Sequence, residues 1–92
     1  MSQTDITADV ISNLPLDRID AVAFYKLDAL TTDLICCDIE MAGQVWTFHE
    51  EAAGWDSLIA HLSLLPGFKA NWRKVVVHPP FEVNTTEAFR RA

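Results

Sequence analysis

Two hydrophobic rhythms divide this chain. From residue 19 to residue 50 it runs in short β-branched and aromatic stretches broken by turn residues; beyond residue 54 the apolar spacing lengthens to three and four. Ile19–Leu27 (IDAVAFYKL) contains no Gly or Pro and predicts a strand. Asp33–Met41 (DLICCDIEM) predicts a second, after a turn over Asp28–Thr32, and Gln44–Glu50 (QVWTFHE) a third. Ala42-Gly43 leaves two residues between the last two strands, the length of a tight hairpin, with Gly supplying the permissive backbone such a turn needs. Short connections make the three strands an antiparallel meander.

Trp55, Leu58, Ile59, Leu62 and Leu65 then recur at helical spacing, which predicts one main helix over about 55–65, ended by Pro66-Gly67. Burying those five side chains stabilises by about 8–15 kcal/mol before entropy is subtracted, so the helix must lie on the sheet. Residues 71–77 suit either a short helix capped by Asn71 or a strand, with the balance towards helix. His78-Pro79-Pro80 continues neither. Thr85–Arg90 is expected to close the sheet as an edge strand. The expected fold is α+β: a three- to four-stranded antiparallel meander with one main helix, and a second short helix if 71–77 is helical, packed on one face. Residues 15–92 form one domain, and residues 1–14, polar apart from a candidate helical turn at Asp9–Leu14, are expected to be flexible.

The tight turn fixes a register. Met41 should face Gln44, Ile39 should face Trp46 and Cys37 should face Phe48. These pairs collect Ile35, Cys37, Ile39, Met41, Trp46 and Phe48 on one dry face, and a one-residue slip would split them. With Leu27 opposite Leu34, Val22 and Phe24 join that face. The other face then carries Ala21, Ala23, Tyr25, Leu34, Cys36, Asp38, Glu40, Val45, Thr47 and His49, with Tyr25, Cys36 and His49 in one row.

Composition narrows the function classes. Ninety-two residues, half of them hydrophobic and nine aromatic, make a single small core. No apolar run is long enough to span a membrane, and the first residues lack the basic and apolar regions of a signal peptide, so a cytoplasmic protein is expected. The two cysteines, Cys36 and Cys37, are adjacent, and no disulfide is expected. The net charge of −6 argues against a nucleic-acid partner. It is also uneven. Residues 1–67 hold eleven acidic and two basic groups, and residues 68–92 hold five basic and two acidic, leaving −9 and +3. Either the basic tail folds against the acidic body, or it serves a charged partner or head-to-tail association.

The sharpest chemical candidate is Cys36 beside His49, with Asp38 diagonal to the imidazole. A base next to a thiol favours the nucleophilic thiolate, and a carboxylate can orient the base. Against it, no nucleophile elbow, oxyanion feature or Gly-rich helix opening accompanies the pair. A small buried cysteine and a solvated histidine are the commoner arrangement. No metal site is expected. His49-Glu50-Glu51 is not a helical metal motif, His61 and His78 lie on other elements, and Cys36 and Cys37 point to opposite faces. No cofactor fingerprint is present. Trp55 and Trp72 read as core, and Pro79-Pro80-Phe81 as a surface turn or extended crossing.

AFYKLD (23–28), TTDLICCDIE (31–40), VWTFHEEAAGW (45–55), LPGF (65–68) and HPPF (78–81) together resemble a group of short bacterial proteins that carry no assigned function. The resemblance spans about residues 19–92 and implies a stand-alone small domain, with no catalytic residue, ligand or fold attached. The expected function is a protein-interaction or accessory domain, of adaptor or immunity type, without catalysis. Its binding surface would be Tyr25, Cys36, Asp38, Thr47 and His49, and its partner another protein or a second copy in a homodimer. The alternatives are a small thiol-dependent enzyme using Cys36, His49 and Asp38, or a ligand-binding domain on the same face.

Overall fold

The structure, a computed structural model, describes residues 5–28, 33–77 and 85–91. The 29–32 part of the first turn and the His78–Phe81 crossing lie outside the described residues. Within them, a four-stranded antiparallel sheet is built from β1 (Ala21–Asp28), β2 (Asp33–Met41), β3 (Gln44–His49) and β4 (Thr85–Arg90), in the order β3-β2-β1-β4. The helices are α1 (Ala8–Ser12), α2 (Trp55–Leu62) and α3 (Trp72–Val77), with a 3-10 turn at Leu16–Arg18.

The expected register is present throughout the meander. Ile39 pairs with Trp46, Cys37 with Phe48, Phe24 with Cys37 and Leu27 with Leu34. Its pivot is the Ala42-Gly43 turn, where both residues have left-handed backbones (φ 54° and 76°). That is the mirror-image turn whose twist matches two paired strands. At the other end of β2 and β3, the Glu50 N–H donates to the Ile35 carbonyl, and the Glu50 carboxylate accepts from the Ile35 N–H at 2.8 Å. The ladder therefore runs one pair past the strand.

β4 joins the opposite edge by pairing with β1. The register shifts between Val22 and Ala23, whose partners are Phe89 and Glu87, so Ala88 is an extra, bulged residue. The bulge explains why β4 does not alternate: Ala88 and Phe89 are both buried in the core. The Ala88 carbonyl accepts from the Lys69 N–H.

All three helices lie on the dry face. Trp55, Leu58 and Leu62 of α2 and Trp72 and Val76 of α3 share one cluster with Val22, Phe24, Ile35, Cys37, Ile39 and Phe48. Phe24 is its centre, stacked on Trp72 at 3.7 Å between ring centroids and edge-on to Trp55 and Phe68. Segment 71–77 is thus settled as helix. α2 is shorter than its apolar spacing: it ends at Leu62, and Leu64 and Leu65 continue by tighter bonds to the carbonyls three residues back. The Ser63 hydroxyl meanwhile bonds the Ala60 carbonyl. Leu65 still reaches the core, but from a turn.

Polarity suggested flexibility for residues 1–14; residues 5–14 are described, and several pack on the body. Thr7 caps α1 by accepting from the Val10 N–H. Ile6, 5% exposed, donates its N–H to Ala53, and Leu14 is buried in the core. The contact with Ile6 dictates a glycine. Gly54 has φ 90°, and a Cβ there would overlap the Ile6 carbonyl oxygen and sit 2.9 Å from its carbon. Alternation also places Lys26 on the dry face, where it is only 3% exposed.

Candidate functional site

The face opposite the helices takes its composition from strand parity. Its rows cross all four strands: Arg90, Ala21, Glu40, Val45; then Glu87, Ala23, Asp38, Thr47; then Thr85, Tyr25, Cys36, His49. Ala21 and Cys36 are buried yet stand outside the core cluster. They form the floor of this second face. Two short β1 side chains, Ala21 and Ala23, are flanked by charge on both sides, Arg90 and Glu87 on β4 and Glu40 and Asp38 on β2.

Asp38 organises the centre. One of its oxygens accepts from the Thr47 hydroxyl at 2.7 Å and from the Tyr25 hydroxyl at 3.2 Å. Of the five residues expected to form a binding surface, Tyr25, Asp38 and Thr47 are therefore linked, and Cys36 and His49 complete the row beside them. Burial first, and then the Asp38 charge, push the Tyr25 phenol up to about 12.

The same two causes bear on the thiol. Burial, followed by Asp38, pushes Cys36 above the ordinary thiol value, and a hydrogen bond with Tyr25 offsets this only partly. The thiolate needed for nucleophilic chemistry is therefore disfavoured where it would form. Asp38 spends its hydrogen bonds on Tyr25 and Thr47, and His49 Nδ1 is buried without a hydrogen-bond partner among the described residues. Strand pairing brings the three candidates close without connecting them as a relay. No protein-family model, curated protein or solved structure matches this chain.

Two further chemically capable groups, His61 and Glu50, are committed elsewhere. His61 Nε2 bonds the Leu14 carbonyl at 2.7 Å, tying the N-terminal segment to α2. The Glu50 carboxylate holds Ile35. Among the described residues no group of three or more His, Cys, Asp or Glu side chains is arranged to hold a metal ion, and both cysteines are free. Among the described residues no helix is long and apolar enough to cross a membrane. Cys37, on the dry face, is pushed up strongly by burial.

The basic C-terminal part docks on the body through core side chains, Trp72, Val76 and Phe89 among them, through its backbone and through Arg91. β4 pairs with β1, the Arg91 N–H donates to Asp20, and the Arg91 guanidinium bonds the carbonyls of Ile19 and Leu16. Arg90 pairs with Glu87 of its own strand, and Arg73 lies over the Trp72 ring. The acidic and basic halves are thus joined by core packing, sheet pairing and carbonyl bonds. Sequence reasoning missed the Arg91 clasp and the Glu50 bond, since neither residue stands in a pattern that marks it.

Proposed function

We propose that this protein is an interaction domain, which binds a partner protein through the open face of its sheet and performs no chemistry there. The observation that carries this reading is the floor of Ala21 and Cys36, beside the hydrogen-bonded group Tyr25, Asp38 and Thr47. Hydrogen bonding among these side chains lowers the entropy lost when a partner docks. The carboxylates Asp38, Glu40 and Glu87 outnumber the guanidinium of Arg90 on this face, which favours a partner surface rich in donors and positive charge. Accessory, adaptor and immunity-type domains work in this way.

The test is affinity capture from the native organism, read by mass spectrometry, with wild type and Ala23→Arg as parallel baits. Arginine at position 23 fills the low strip between the flanking charges. A partner held by wild type and lost by the variant supports the proposal; capture indifferent to the variant, or none, refutes it. The thiol-dependent alternative rests on the pairing of Cys36 with His49. It requires Cys36 to alkylate rapidly at neutral pH, and the burial and the Asp38 charge that push its thiol up weigh against it.

A further inference from the structure

We propose that the exposed edge of β3 is a self-association site, at which two copies of this chain pair their β3 strands antiparallel about a two-fold axis into one continuous eight-stranded sheet. This does not rest on the open-face reading. The two edges of the sheet are treated differently. β4 carries Glu87 and Arg90, is bulged at Ala88, and has the Lys69 N–H on the Ala88 carbonyl. Charge, bulges and covering loops are the usual means of keeping an edge from pairing. β3, QVWTFH, pairs with β2 without a bulge, and no Lys, Arg, Asp, Glu or Pro occurs in it.

Its outward backbone groups follow from the ladder. Glu50 bonds Ile35 through the backbone, and with the two-residue turn this aims the even-numbered residues of β3 at β2. Val45, Thr47 and His49 therefore point outward. Among the described residues only the His49 carbonyl is engaged, by the Ala52 N–H, and a carbonyl can accept twice.

One register uses all three residues. Thr47 meets Thr47 of the second copy on the axis, Val45 meets His49, and about six backbone hydrogen bonds form. The intervening pair is Trp46 with Phe48, both on the dry side. There an apolar cleft of about 240 Å³, lined by Val10, Asn13, Leu14, Trp46 and Phe48, lies beside the edge. The second copy's aromatic side chains would cover it. These three kinds of facing pair are β-branched, aromatic or imidazole, which stabilise cross-strand contacts, and Gln44 meets Glu50 beyond them. On the open face the nearest like charges across the axis, the two Asp38 carboxylates, would be about 14 Å apart at three strand spacings, beyond the screening length in physiological salt. Two edges this short make a small interface, so the dimer is expected to be concentration-dependent.

Sedimentation equilibrium of the full chain across concentration tests this, with three variants. Thr47→Lys sets two cations face to face on the axis, and Val45→Pro removes only an outward N–H. Each should lower the association constant at least tenfold, while Leu64→Lys, on an exposed site of the helical layer, should leave it unchanged. Amide exchange on the wild type needs no variant: Val45, Thr47 and His49 should slow as concentration rises. The proposal is overturned if the chain stays monomeric to near-millimolar concentration, if dimerisation ignores both edge variants, or if those amides exchange at a concentration-independent rate. Ala23→Arg should dimerise normally, which separates this site from the open face.

Discussion

Gly54→Ala would show how firmly the N-terminal segment belongs to the domain. Gly54 sits at φ 90°, where an L-residue pays about 1–2 kcal/mol in backbone strain. The added methyl would also overlap the Ile6 carbonyl, so residues 5–7 must move away. That movement exposes Ile6, worth about 1.5–3 kcal/mol, and breaks the Ile6 N–H bond to Ala53, worth about 1 kcal/mol. The full loss is about 3–6 kcal/mol, a large part of the roughly 5–14 kcal/mol expected of a chain this long. Urea denaturation of a double-mutant cycle reads it, with Gly54→Ala placed in the full chain and in a chain lacking residues 1–6, which keeps the Thr7 cap. In the shortened chain only the backbone strain of about 1–2 kcal/mol should remain. Equal losses in both backgrounds, or a loss below about 1 kcal/mol in the full chain, would refute the reasoning.

Further outcomes follow from the same geometry. Ala42 holds a left-handed backbone at φ 54°, and Ala42→Asn, which tolerates that conformation, should raise stability by about 0.5–1 kcal/mol, seen as a higher urea midpoint at unchanged slope. Asp38→Asn removes a carboxylate beside Tyr25, so the phenol should fall part-way from about 12 towards its usual 10 in an ultraviolet titration; burial, the larger cause, holds up the rest. Cys36, Cys37 and Tyr25 are all raised in the folded state. The stability they contribute is complete below the unfolded thiol value near 9 and is lost as pH climbs through the folded values. Urea midpoints should therefore fall between about pH 9 and pH 12, and a flat profile there would contradict the burial of these groups.

Much of the sheet was legible because it rests on local rules. A two-residue turn, a side-chain period of two and the coincidence of apolar positions leave one register for β2 and β3, and parity extends it to β1. The row Tyr25, Cys36, His49 followed directly. What parity does not carry is who bonds whom within a face. The choice of Asp38 for Tyr25 and Thr47 over His49 depends on side-chain reach and on the hydroxyls available nearby.

The sequence by itself determined the fold class, the faces of the meander, the different fates of Cys36 and Cys37 and the core positions of Trp55 and Trp72, since each follows from spacing along one strand or helix. Tertiary structure decided the rest, through contacts between residues distant in the chain. Pairing with β1 placed the bulge in β4 and put Ala88 in the core. The approach of Ile6 made Gly54 necessary, and packing on the dry face buried Lys26. The raised Cys36 thiol belongs with these: sequence placed a base beside it, and the fold supplied the burial and the carboxylate that oppose its ionisation.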